Sequence, residues 1–177
     1  MKKLLSLLTV IFLTTGIARA EEIIGVWQSL PISVYIEENR NAYLMKRSFG
    51  DWESSSNKLV RFTYTDNEEE AQIVVKFVDK VSDKAEHAVG LTYPYTDGQK
   101  NFIHAEIEIA KYSDLRTTKL PNIDLLKIMR HEIGHAIGLP HTNIPYAIMN
   151  PTTSKGLNIT KDDIKALKGI YEKNKSN

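Results

Sequence analysis

The chain has 177 residues, no cysteine, 25% charged and 42% apolar positions, and a formal net charge of +1. These values describe an ordinary folded chain of about one domain and exclude a disordered, collagen-like or disulfide-stapled protein. The near-neutral balance lacks the basic footprint of a nucleic-acid binder, and the absence of thiols excludes cysteine nucleophiles and cysteine-ligated metals.

The first segment reads as one to be removed. Lys2 and Lys3 precede a mostly apolar stretch from Leu4 to Ile17, and Ala18-Arg19-Ala20 supplies a small-x-small cleavage site before Glu21. Residues 1–20 are therefore expected to be a secretory signal peptide, and residues 21–177 a single domain. With no cysteine to carry a lipid, the mature chain is expected to be released, without membrane association, into the periplasm or the medium. Cleavage removes Lys2, Lys3 and Arg19 but no acid, which takes the balance from +1 to −2.

Ile32 to Ile36 alternates as a strand, and Ala42, Met45, Phe49 and Trp52 recur at helical spacing within residues 41–55. Val60, Phe62 and Tyr64 alternate again, Asp66 to Glu70 is an acidic turn, and Ile73 to Val78 is an apolar run suited to a central strand. Two more strands follow, Val89 to Tyr93 and Ile103 to Ala110, with a turn at Asp97-Gly98. In the latter, Ile103, Ala105, Ile107 and Ile109 are expected to face the core, with His104, Glu106 and Glu108 opposite. Strand–helix–strand followed by more strands predicts an α+β fold with a mixed sheet and a crossover helix.

From Asn122, the candidate N-cap, the period becomes helical: Leu125, Ile128, Met129, Ile133, Ala136 and Ile137 share a face, and Gly138 ends the helix. Thr160 and Asp163 then resemble a capping box before a core stripe of Ile164, Leu167, Ile170 and Tyr171.

The chemistry is concentrated between His131 and Met149. His131 and His135 lie one helical turn apart, the spacing at which two imidazoles reach one zinc ion. Glu132 is rotated by about 100° and lies beside that pair, where it can meet a water on the metal without being a ligand. Gly138 lets the chain turn back so that His141 can be the third ligand, and three histidines leave an open fourth position, the mark of a catalytic site. At equal residue frequencies all five positions coincide about once in twenty thousand random chains of this length.

His131-Glu132-Ile133-Gly134-His135-Ala136-Ile137-Gly138-Leu139-Pro140-His141 resembles the metzincin zinc-protease signature, and Ala147-Ile148-Met149-Asn150-Pro151 resembles its Met-turn. The eight positions from His141 to Met149 are similar to the matrixin (matrix metalloprotease-like) branch. Ala71 to Phe77 is similar to the matrixin central strand, Gly90-Leu91-Thr92-Tyr93 to its cleft-edge strand and Ile159 to Tyr171 to its C-terminal helix. The resemblance implies a metzincin-like domain: a mostly parallel twisted sheet with a crossover helix, an active-site helix and a C-terminal helix. It implies one catalytic zinc on His131, His135 and His141, Glu132 as general base and acid, and Met149 as an apolar floor. Gly90, Leu91, Thr92 and Tyr93 would pair with an extended protein or peptide substrate. Residues up to Gly138 would form the upper part of the cleft, and residues from Leu139 on the lower.

Several features depart from the matrixin pattern. There is no cysteine for a cysteine switch, and no propeptide is expected. Tyr93 stands in a position companion to His104, so a second zinc is not expected, and His87 has no supporting ligand either. No spaced acidic loop argues for calcium. The expected protein is a secreted, monomeric zinc metalloendopeptidase whose specificity is set around Asn150 to Lys155. The alternative is a secreted zinc-containing binding protein without turnover, for which a damaged motif would be the sign; Glu132 is intact. A structural zinc would need a fourth ligand, and none follows His141 before Asp162.

Overall fold

The computed structural model describes residues 23–82, 88–113, 116–119, 121–151 and 156–173. The expected signal peptide and its cleavage site lie outside the described residues, as do His87 and the cleft-wall residues 152–155. The elements run β1 (Ile32–Ile36), α1 (Ala42–Ser55), β2 (Phe62–Tyr64), β3 (Ile73–Val78), β4 (Gly90–Thr96), β5 (Phe102–Ala110), β6 (Tyr112–Ser113), β7 (Arg116–Lys119), α2 (Asn122–Ala136) and α3 (Lys161–Lys173).

Five strands form a sheet in the order β2-β1-β3-β5-β4. Strands β2, β1, β3 and β5 are parallel neighbours, α1 being the crossover from β1 to β2, and β4 is an antiparallel edge strand on β5. This is the mixed, mostly parallel α+β arrangement expected. The register aligns Val34 with Ile73 and Val75 with Ile107, so Ile32, Val34, Ile73, Val75, Ala105 and Ile107 share one face and are fully buried. Leu44, Met45, Phe49 and Trp52 of α1 and Leu125, Met129 and Ile133 of α2 close over that face as one core. Each such large side chain contributes about 1.5–3 kcal/mol by burial. The other face is mixed, with Val74 and Ala110 buried and Lys76 lying 3.1 Å from Glu68 and 3.6 Å from Glu106.

Several local expectations are corrected. Ile103 is 65% exposed and Phe102 is the core residue, stacked on Trp27 with ring centroids 5.0 Å apart. The ladder skips there: Tyr95 pairs with His104 but Thr96 with Phe102, so Ile103 is the extra residue of a bulge and the alternation changes phase. Glu108 faces opposite Ile107 and Ile109 as expected, and its burial there is balanced by the backbone N–H and hydroxyl of Ser82, which each donate to its carboxylate at 2.7 Å. The β2 strand spans only Phe62–Tyr64. Asn122 is the first helical residue and not the cap; Pro121 is the cap, and the Asn122 amide donates to the Tyr43 hydroxyl at 3.1 Å. The β6–β7 hairpin has no counterpart in the sequence reading, its residues showing no apolar alternation.

Helix α2 is pinned at several points. The Trp52 indole donates to the Arg130 carbonyl and the Trp27 indole to the Ala136 carbonyl, each at 2.8 Å. Buried Arg130 donates to Asp51 of α1 through Nε at 2.9 Å and Nη2 at 2.6 Å. Gly138, at φ +104°, then turns the chain away, and its carbonyl accepts from the Ile24 N–H at 3.2 Å.

Candidate active site

The i, i+4 spacing on α2 and the turn at Gly138 bring His131, His135 and His141 together. Their Nε2 atoms are 3.1 Å (His131–His135), 3.1 Å (His135–His141) and 3.2 Å (His131–His141) apart. The far nitrogens fix the tautomers. Nδ1 of His131 donates to the Ile148 carbonyl at 2.7 Å, and Nδ1 of His135 to the Leu139 carbonyl at 2.8 Å. A carbonyl only accepts, so both Nδ1 atoms carry hydrogen and both Nε2 atoms present lone pairs. Burial holds the His131 pKa below its ordinary value, and burial followed by the neighbouring His131 pushes His135 down to about 3. Neutral imidazoles with converging lone pairs repel one another unless a cation lies between them. A tetrahedral zinc with 2.0–2.1 Å bonds needs nitrogens about 3.3 Å apart, close to the separations here. The donor set therefore fits zinc. Among the described residues it is the one cluster of three or more histidine, aspartate or glutamate side chains placed to share an ion.

Glu132 leaves α2 toward the edge strand. It is buried, and its Oε2 accepts from the Thr92 hydroxyl at 2.7 Å. Burial raises its pKa to about 7, with the Thr92 bond opposing the shift. A cavity of about 800 Å³ opens beside the histidines, with Gly90, Leu91 and Thr92 on one side, Pro140, Asn150 and Pro151 on the other, and Lys127 and Ile128 of α2 between them. Of the four edge-strand residues singled out in the sequence, Gly90, Leu91 and Thr92 line this cavity. Tyr93 pairs with Glu106, which puts it on the opposite face of the sheet. His104 lies on β5 with its ring 5.7 Å from Tyr95, in a pocket shared with Glu68 and Glu106 that none of the three histidines lines.

Met149 is 1% exposed and packs under α2 so closely that a Cβ at Gly134 would collide with its sulfur. Its segment is held by Asp163, a residue that the sequence marks only as a helix cap. Asp163 accepts from the backbone N–H groups of Ile148 at 3.0 Å and Met149 at 3.3 Å, as well as from Thr160 N–H at 2.7 Å and its hydroxyl at 2.6 Å. The capping-box spacing places a carboxylate at the start of α3, but nothing in it points fourteen residues back. The Thr92 hydroxyl and the cavity-facing Ile24, Asp124 and Lys127 likewise carry no motif signal.

Comparison with known proteins agrees with this geometry. The chain is 28% identical to Metalloendoproteinase 1 of Glycine max over 134 residues, covering 71% of this chain and 43% of the relative. It is 27% identical to Metalloendoproteinase 4-MMP of Arabidopsis thaliana over 157 residues, covering 79% and 45%. It thus spans less than half the length of either relative. In fold it is similar to the solved structure of myroilysin, with a TM-score of 0.56 and 15% identity over 84% of this chain and 97% of that one. The Matrixin model of peptidase family M10 matches residues 27–172, and the chain therefore belongs to the matrixin family.

Proposed function

We propose that this chain is an exported zinc metalloendopeptidase, with His131, His135 and His141 as ligands of one catalytic zinc and Glu132 as general base and acid. The observation that carries the reading is the triangle of inward-facing Nε2 atoms beside an open cavity and a buried carboxylate. Held by His131, His135 and His141, a zinc would supply Lewis acidity to the scissile carbonyl and to the attacking water. Glu132 takes the proton of the attacking water as the new C–O bond forms and delivers it to the departing amine nitrogen. Burial raises the proton affinity of this carboxyl, which favours its taking up the proton it then passes on. The outer edge of β4 offers main-chain groups to an extended peptide, and the cavity takes one of its side chains. Met149 forms the apolar floor. Export to the periplasm or medium rests on the N-terminal Lys2 to Ala20 pattern, and residues 21–177 act as a single monomeric domain.

The test is cleavage of an unfolded protein by the zinc-loaded chain, with and without chelator, beside Glu132→Ala. Cleavage should stop with chelator. In Glu132→Ala, kcat should fall by about 10³-fold with one zinc per chain retained. Undiminished cleavage by the variant would remove Glu132 from the chemistry. Zinc bound in a folded wild-type chain without any cleavage would favour the zinc-containing binding protein.

A further inference from the structure

The side chain of Glu132 has three rotatable bonds and reaches across from α2 to the neighbouring strand, so its aim needs a partner. That partner is the inner face of β4. Gly90 pairs with Ile109 and Thr92 with Ile107, which turns both residues toward α2, while Leu91 and Tyr93 turn away. At Gly90 the missing side chain matters: a Cβ there would lie 2.8 Å from both Cγ and Oε1 of Glu132 and 2.7 Å from Cγ2 of Ile128. No real Cβ is packed so tightly, so any larger residue drives the carboxylate out of place. Two residues on, the Thr92 hydroxyl lies 2.7 Å from Oε2 and 3.0 Å from the Glu132 backbone carbonyl, which ties it to the same residue at two atoms.

We propose that Gly90 and Thr92 form a cradle on the edge strand that positions the Glu132 carboxylate, Gly90 by making room for it and Thr92 by fixing Oε2. Both are positioning residues, and the inference rests on the reading of Glu132 as the base. It also separates two tasks along one strand. The backbone of β4 faces substrate, whereas the side chain of Thr92 faces the enzyme's own carboxylate.

Thr92→Val keeps the shape and removes the hydroxyl; Thr92→Ser keeps the hydroxyl. A carboxylate displaced by about 1 Å loses roughly 100-fold in rate. The zinc-loaded Thr92→Val protein should therefore lose roughly 30- to 100-fold in kcat with KM within about twofold, and Thr92→Ser should recover to within about fivefold of wild type. Gly90→Ala should lower kcat comparably although no hydrogen bond is removed. A kcat within about threefold of wild type in Thr92→Val, a loss confined to KM, or a serine variant as impaired as the valine one would overturn the cradle. Crystal structures of zinc-loaded wild type and Thr92→Val give a readout independent of turnover. The Glu132 carboxylate should occupy one rotamer in the first and be displaced or divided between rotamers in the second, with the three histidines unmoved. An unmoved carboxylate overturns the proposal. A wild-type chain that binds zinc but cleaves nothing refutes the peptidase reading instead, and the structural comparison then decides the cradle alone.

Discussion

The seven residues of β4 on one side of the cavity are laddered to β5, whereas residues 139–150 on the other side contain no helix or strand. The ladder spreads its support over many equivalent bonds. The opposite wall depends on a few unequal ones: Asp163 to Ile148 and Met149, the two histidine Nδ1 atoms to Ile148 and Leu139, and Thr142 N–H to the Met149 carbonyl at 3.0 Å. Two of those bonds belong to imidazoles of the histidine cluster, so the lower wall and the candidate metal centre are one structure. The upper wall is part of the sheet and meets Glu132 through Gly90 and Thr92.

The largest break in this contrast should come from Asp163. Asp163→Ala strips the acceptor from three backbone N–H groups and a hydroxyl at a fully enclosed position, at a cost of about 4 kcal/mol in urea unfolding. Zinc affinity and cleavage should fall with it, while Asp163→Asn retains part of both. An alanine variant as stable as wild type would show that the lower wall has other support.

A pH series on the metal-free protein comes next. The native pKa of Glu132, about 7, exceeds its ordinary 4.5, so the native state binds more protons between those values and stability falls as pH rises through that window. His135, at about 3 against an ordinary 6.5, acts oppositely: the unfolded state takes up its proton first, and stability is lost as pH falls below 6.5. Glu132→Gln removes only the first effect. Its stability advantage over wild type should grow from pH 5 to pH 8, toward about 3 kcal/mol. A constant difference would mean the carboxyl titrates normally.

Zinc itself sharpens the comparison. At a hundredfold excess over Kd it should add about 2.7 kcal/mol of stability, an increment lost in His135→Ala. Amide exchange should slow at Ile148 and Met149 and remain unchanged along β4; equal protection of both walls would contradict their independence. The smallest effect is expected on the ladder's surface. Tyr95 is 48% exposed, and Tyr95→Ala should change stability by no more than about 0.5 kcal/mol and leave zinc binding intact.

The same contrast governs what could be read from residue order. The core strands and α2 were legible because burial on one face imposes a period, and the meeting of the three histidines because a helical turn and the break at Gly138 set their spacing. At Ile103 the period misled, since a bulge shifts phase without leaving a mark in composition. The face of Glu108 was legible but its burial was not, since Ser82, far off in sequence, supplies the two hydrogen bonds that make it tolerable. Asp163 and Thr92 were half legible. One was seen as a cap and the other as strand, and their second partners are set only when helix, strand and turn meet.

The chain has two tryptophans, and both indoles donate to carbonyls of α2, one at Arg130 beside the first histidine and one at Ala136 beside the second. Both are buried to within 2%. Intrinsic fluorescence of this protein is therefore a local signal. A red shift in emission records the histidine-bearing helix coming away from α1 or from the N-terminal segment. The lower wall has no indole of its own and reaches this signal through Met149, whose sulfur lies beside the Trp52 ring at Gly134.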